Sequence, residues 1–294
     1  MEFTKAHGTA NDFVVLTDLD DRIELSAVLV RALTDRRRGI GGDGVIRIGP
    51  GTGDADVFMD YRNADGSVVE TCGNGLRVVA KHVLDHGLVT PADGEPVRVG
   101  TRAGVKPVVV HLGPDGRVAE ATVDMGPPVF DPAEVPFETD DPDAVVHHMA
   151  VDGQRLEVAV VSMGNPHAVL PVDDVAEAPV TELGPRVETH PRFPAKANVG
   201  FAQVVSGDAL RLRVWERGVG ETAACGTGAC AAVVALQRLG RLGEEVAVRL
   251  PGGTLRVQHT AGGTVTMTGP AVEVGHGVLA DDWLTAARHG ELEA

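Results

Sequence analysis

Two cysteines in this chain stand in the same local setting. Thr71-Cys72-Gly73-Asn74-Gly75 and Ala224-Cys225-Gly226-Thr227-Gly228 each run cysteine, glycine, polar residue, glycine. The glycines let the backbone turn sharply and leave amides unshielded. Each turn opens a segment that reads as a helix. The first amides of a helix have no intrahelical partner and carry the positive end of its dipole. Each turn is therefore an anion site, suited to a carboxylate. It also suits a thiolate, because the same field lowers the pKa of a cysteine. If the two turns face one cleft about a pseudo-twofold axis, the sulfurs approach one point from opposite sides. That arrangement can invert a stereocentre: one thiolate takes a proton from one face and the opposite thiol delivers one to the other. The planar carbanion between these steps needs its carboxylate stabilised by donors in a dry site. Asn74 and Thr227, with the amides of both helices, are suitably polar.

Other groups are weaker candidates. Cys230 lies five residues past Cys225, on the far side of an apolar helix, and reads as core. His82 and His86 have a helical i, i+4 spacing that can hold a metal. No glutamate precedes His86 in the zincin manner and no third ligand is evident, so no metal is expected. His147-His148 is adjacent on a strand and reads as structural. Gly39-Ile40-Gly41-Gly42-Asp43-Gly44 has neither the Gly-Lys-Ser/Thr of a P-loop nor the context of a dinucleotide fingerprint. Glu216-Arg217 stands at a strand end eight residues before Cys225, and the arginine can clamp a carboxylate.

The elements that must position these residues are mostly short strands. In the first half, alternation and β-branching predict strands at Phe13–Thr17, Gly44–Ile48, Asp56–Arg62, Val97–Arg102, Val105–His111 and Ala119–Asp124. Helices are predicted at Ser26–Thr34 and Asn74–His86, with Gly87 as terminator. In the second half, strands are predicted at His147–Ala150, Leu156–Val161, His167–Val172, Asn198–Val205, Leu210–Glu216, Val246–Leu250, Thr254–His259 and Thr264–Thr268. Helices are predicted at Val180–Thr189 and Gly228–Leu239.

An internal repeat organises this series. The cysteine turns are offset by 153 residues, from 72 to 225. Asn11-Asp12-Phe13-Val14-Val15-Leu16 matches Asn165-Pro166-His167-Ala168-Val169-Leu170 at an offset of 154, and Met125-Gly126-Pro127 matches Thr268-Gly269-Pro270. Three matches in one order argue for two copies of one fold. The repeat makes the paired cysteines a functional signal, since packing alone explains the glycines but not the polar Asn74 and Thr227. Prolines 127, 128, 132, 136 and 142 mark the join.

Composition sets the outer limits. The chain has 294 residues, 43% hydrophobic and 23% charged, as in globular proteins. No run of about 20 apolar residues predicts a membrane span, and the N-terminus shows no secretory pattern. The cytoplasm is the expected location. A formal net charge of −16 argues against nucleic acid as partner. Three cysteines do not suggest a disulfide framework.

Taken together, the sequence resembles the diaminopimelate epimerase family over essentially its whole length. The resemblance is carried by His7-Gly8, Asn11-Asp12-Phe13, Gly39-Ile40-Gly41, Asn63-Ala64-Asp65-Gly66-Ser67, Cys72-Gly73-Asn74-Gly75, Met163-Gly164-Asn165-Pro166-His167, Asn198-Val199, Glu216-Arg217-Gly218, Cys225-Gly226-Thr227-Gly228-Ala229-Cys230 and Leu250-Pro251-Gly252-Gly253. It implies an α+β fold of two similar pseudo-symmetric domains, each a β-barrel-like sheet around a central helix. Domains are expected at 1–127 and 128–271, with 272–294 returning to the first. It implies interconversion of LL- and meso-diaminopimelate in lysine and peptidoglycan precursor synthesis, with no pyridoxal phosphate and no metal. Cys72 and Cys225 would be the acid and base. Asn11, Asn63, Asn165, Asn198 and Arg217 would hold the amino and carboxylate groups, largely at the distal centre. Gly73, Asn74, Gly226 and Thr227 would bind the reacting carboxylate, with His167 and Glu216 tuning the cysteines and contacting substrate. A homodimer is implied. Departures are Gly44, where glutamine is frequent in the family, Thr9-Ala10 for Leu-Gly, and Gly200 for an acidic residue. A related racemase of another amino acid and a non-catalytic amino-acid-binding protein are the alternative readings.

Overall fold

The computed structural model describes residues 1–92 and 94–293. The chain divides into two compact units, one formed by Met1–Val123 with Gly269–Ala294 and the other by Asp124–Thr268. The first unit begins with β1 (Glu2–Gly8), β2 (Asn11–Thr17), α1 (Ala27–Thr34), β3 (Gly44–Pro50), β4 (Val57–Asn63) and β5 (Val68–Val69). It continues through α2 (Gly73–Asp85), β6 (Val97–Thr101), β7 (Gly104–Leu112) and β8 (Val118–Asp124). The second unit holds β9 (His147–Val151), β10 (Gln154–Ser162), β11 (Pro166–Pro171), α3 (Val180–Glu188), β12 (Asn198–Ser206) and β13 (Ala209–Glu216). It is completed by β14 (Gly220–Thr222), α4 (Gly226–Arg238), β15 (Glu245–Leu250), β16 (Gly253–His259) and β17 (Val265–Pro270). The chain then returns to the first unit as β18 (Val272–Val278) and α5 (Asp281–His289).

The two units repeat one pairing scheme. In the first, β2 pairs with β1 antiparallel and with β3 parallel; β3–β4, β4–β5, β6–β7 and β7–β8 are antiparallel, and β4–β6 is parallel. In the second, β11 stands for β2, β12 for β3, β13 for β4 and so on, with the same sense at every step. Even the register repeats: Phe13 faces Gly44, and 154 residues later His167 faces Asn198. The outer strand differs in origin. β10 pairs with its neighbour in sequence, β9, whereas β1 pairs with the distant β18.

Each sheet wraps one helix. Strands β10, β11, β12, β13, β15 and β16 all touch α4. Its residues from Gly228 to Leu236 are buried, and it is the centre of the second unit's core with Val161, Leu212, Val248, Leu255 and Met267. In the first unit α2 touches β1, β4, β6, β7 and β18, and buries Leu76, Val78, Val79, Ala80 and Val83. The outer faces are covered by further helices. Helix α1 starts at Ser26, whose Oγ accepts from the Leu29 amide at 3.2 Å, a standard N-cap bond. It packs with α5, which ends at Gly290 in the left-handed region, φ 74°. Among the described residues no helix is long and apolar enough to cross a membrane.

Candidate active site

Cys72 and Cys225 are both N-cap residues, of α2 and α4. That position usually holds Ser, Thr, Asp or Asn, because an oxygen there accepts from the helix amides. Here sulfur takes the role. Cys72 Sγ accepts from the Gly75 amide at 3.4 Å, and Cys225 Sγ from the Gly228 amide at 3.3 Å. Both cap residues have extended backbone, φ −149° and −119°. The second glycine of each motif has a steric reason. A Cβ on Gly228 would lie 3.2 Å from Cys225 Sγ and 3.1 Å from Val214. One on Gly75 would meet the flexible ends of Ile46 and Met59 at 3.2 and 3.3 Å. The glycine thus relieves crowding at the sulfur in the second motif and against neighbouring side chains in the first.

Around Cys72, the structure assembles Asn74 and Asn11. Asn74 is buried, and its Nδ2 donates to Asn11 Oδ1 at 3.1 Å, while Asn11 Nδ2 donates to Asp43 Oδ2 at 2.8 Å. Asn63 stands at the end of β4, its Nδ2 donating to Ser67 Oγ at 3.0 Å. Two residues outside the sequence expectations complete the set. Arg77, fully buried, donates to Asn74 Oδ1, to Thr9 Oγ1 at 3.1 Å and to the Pro270 carbonyl at 3.0 Å. It thereby fixes which end of the Asn74 amide meets Asn11. Its signal in the sequence is an arginine inside an apolar helix with no acidic residue three or four positions away. The other is Asp12, bound by Lys5 and Arg36. Burial raises its pKa, but the bonds from Arg36 and Lys5 outweigh burial and hold the carboxyl below its usual range.

Gly44, where family members often carry glutamine, is closed by its neighbour: a Cβ there would lie 2.5 Å from the Tyr61 ring. Ala10, in place of the family's usual glycine, sits in the left-handed region at φ 63°.

Around Cys225 lie Glu216 and Thr227. Thr227 Oγ1 is 3.5 Å from the sulfur. Glu216 accepts from Thr222 Oγ1 and acts on the thiol both by its charge and through a hydrogen bond. Burial first, and the Glu216 charge second, push the Cys225 thiol well above its ordinary pKa, against the smaller opposing effect of Thr227 and the Gly228 amide. The expectation that the helix end makes a thiolate is therefore reversed at Cys225: desolvation outweighs the dipole, and the group rests as a thiol.

His167 is 1% exposed, and burial together with the Arg217 charge depresses its pKa to about 3. It is neutral, with Nε2 2.9 Å from Asn165 Oδ1. Asn198, also buried, accepts from the Arg217 amide at 2.9 Å and donates to the Pro166 carbonyl at 3.1 Å. Arg217 itself is exposed and bonds the Ala195 carbonyl at 3.1 Å. Cys230 is fully buried in the second core, as its sequence setting implied.

Fold and caps define a class: sheet-dominated α+β proteins in which a unit is duplicated and each copy heads its buried central helix with a cysteine. The family model for diaminopimelate epimerase matches residues 3–130 and 159–274. The chain is 48% identical over 279 residues to the diaminopimelate epimerase of Pseudomonas aeruginosa strain LESB58, covering 94% of this chain and 98% of that one. It is 51% identical over 284 residues to that of Laribacter hongkongensis strain HLHK9, covering 95% and 99%. A solved hydroxyproline epimerase from Agrobacterium vitis shares the fold, with a TM-score of 0.68 at 18% identity over 98% of both chains. The chain belongs to the diaminopimelate epimerase family.

Proposed function

We propose that this protein interconverts LL- and meso-2,6-diaminopimelate without a cofactor, Cys72 and Cys225 serving as the two acid–base groups. The observation that carries the reading is the paired cysteine cap, in a chain about half identical to relatives named diaminopimelate epimerase. Inversion at the α-carbon needs a base on one face and an acid on the other. A thiol at Cys225 supports its part as acid, with the thiolate at Cys72 as base in that direction. Cys72 Sγ takes the Cα proton, and the electron pair spreads into the carboxylate. Cys225 then gives its proton to the opposite face and becomes the thiolate, and the reverse direction starts from that state. The amides of Gly73, Asn74, Gly226 and Thr227, at two helix N-termini, suit the charge that develops on the reacting carboxylate. Asn11, Asn63, Asn165, Asn198 and Arg217 hold the distal centre. Glu216 keeps Cys225 protonated, and neutral His167 orients Asn165. The protein works in the cytoplasm as a homodimer, in lysine and peptidoglycan precursor synthesis, with a small amino acid as its partner.

The test is deuterium incorporation at the α-carbon of LL-diaminopimelate in heavy water, beside a panel of amino acids with one centre. Exchange with inversion on diaminopimelate alone is expected. Cys72→Ala and Cys225→Ala should each lower inversion by about a thousandfold. Undiminished inversion in either variant rejects the mechanism, and turnover of a different amino acid alone rejects the substrate.

A further inference from the structure

The far end of α2 carries a cluster that the reaction does not use. His82 and His86, one turn apart, face Glu273 of β18, and the donor atoms of all three lie within 4.8 Å of one another. Glu273 Oε1 is 2.7 Å from His82 Nδ1, and its Oε2 is 3.1 Å from His86 Nε2. The third ligand that the sequence lacked comes from 187 residues further along the chain.

We propose that His82, His86 and Glu273 form a binding site for a divalent transition-metal ion, zinc being the best match. Two imidazoles and one carboxylate are a donor set that zinc accepts, with water in a fourth position. The two imidazoles are borderline donors, better suited to zinc than to magnesium or calcium. Donors around a tetrahedral zinc with bonds of about 2.0–2.1 Å lie roughly 3.3 Å apart. The two ring-to-carboxylate spacings need to open only by about half an ångström, which a carboxylate rotation supplies, and the two ring nitrogens, within 4.8 Å of each other, are brought onto the ion by rotation of the more exposed His86. His82 has an outer partner of the kind metal-bound histidines use: its Nε2 lies 2.9 Å from Thr17 Oγ1. When Nε2 donates to that hydroxyl, the lone pair of Nδ1 points into the cluster. The ion then takes the place of the protons now shared between the rings and the carboxylate.

Access and burial also fit. The His82 side chain is 6% exposed and that of Glu273 14%, so two donors are held by packing, while His86 at 41% opens to solvent. Both histidines line a cleft of about 910 Å³ that also contains Thr17, Asp18 and His276. Arg117 approaches Glu273 at 3.8 Å, but its closer partner is Asp85 at 3.3 Å and its side chain is 55% exposed, so it can keep the Asp85 pair while the ion takes over Glu273. His82 is ten residues from Cys72, about 15 Å along the helix axis, so the ion would clamp β18 to α2 without touching the acid–base chemistry. The equivalent positions of α4 are Ala235 and Leu239, which leaves the second unit without such a site.

The experiment is calorimetric titration of the chelator-treated full chain with zinc chloride, repeated with cobalt(II) to read the visible bands of a four-coordinate site. Cysteines also bind zinc, so both titrations are repeated in Cys72→Ala/Cys225→Ala. One equivalent should bind in each background, with a rise in melting temperature. His86→Ala and Glu273→Gln should each weaken binding at least about tenfold while leaving diaminopimelate turnover in the cysteine-intact chain unchanged. His86 is half-exposed, so its loss does not threaten folding. Absence of stoichiometric binding, or binding indifferent to both substitutions, overturns the site. Neither result bears on the epimerase reading, whose test is isotope exchange.

Discussion

Helices α2 and α4 are the same element used twice, and they have diverged in what they bury. Each is 13 residues long, capped by cysteine and followed two residues later by a polar group. Beyond that first turn, α4 is apolar nearly throughout, while α2 carries Arg77 where α4 has Cys230 and His82 where α4 has Ala235. A helix surrounded by sheet favours apolar residues, because a buried polar group costs free energy unless it is hydrogen-bonded. The first unit meets that cost through partners from elsewhere: Thr9 and Pro270 for Arg77, Thr17 and Glu273 for His82. One copy is thus a packed core with a cysteine at its end. The other is a polar scaffold that reaches back from the site into the body of the unit.

The largest expected difference lies at the paired positions 77 and 230. Arg77→Met should cost about 3 kcal/mol in urea unfolding, since it strands the groups that the guanidinium now satisfies. Turnover should fall with it, because Asn74 loses its orienting partner. Cys230→Ala, at the equivalent place, should cost about 1 kcal/mol and leave turnover intact. Equal losses at the two positions would mean that the polar scaffold does no more than fill space.

A smaller contrast is expected at the glycines that donate to sulfur. Gly228→Ala forces a methyl against Cys225 Sγ, and turnover should drop by about tenfold with about 1 kcal/mol of stability. Gly75→Ala meets side-chain ends that can move, so its effect should be the milder of the two in the same assays.

The last effect is electrostatic and, at neutral pH, the smallest. His167 is held neutral to about pH 3, against 6.5 in an unfolded chain. Between those values the unfolded state takes up a proton that the folded state refuses, so this group's contribution to stability is present above pH 6.5 and is lost as the pH falls. His167→Asn should flatten the stability–pH curve in that window by about 1 kcal/mol per pH unit. An unchanged slope in urea melts between pH 4 and 6.5 would contradict the burial assigned to this ring.

Much of this architecture is legible in the sequence, and the exceptions share a cause. The duplicated cysteine turns, the helices after them and the central strands are encoded locally, in glycines and in alternating valines. The strands β1 and β18 are not. β1 buries Thr4, Ala6 and Gly8, which carry no apolar signature. β18 exposes Val272, Val274 and Val278 and partly shields Glu273, so its hydrophobic pattern is opposite to its burial. Helix α5 is equally hard to read, as it buries only Leu284 and Ala287. At the site, the cysteines and asparagines are readable because their motifs are contiguous. The partners of Arg77 and His82 are not, because they come from both ends of the chain.

The pairing of β1 with β18 also governs the order in which the protein can assemble at the ribosome. Every strand of the second unit is in hand once β17 has been synthesised to Pro270. The N-terminal sheet, although begun first, stays open along β1 until the residues after Gly269 emerge. Vectorial synthesis therefore favours completion of the later unit before the earlier one, and the closing step joins residues more than 250 positions apart, the kind of long-range contact that slows folding.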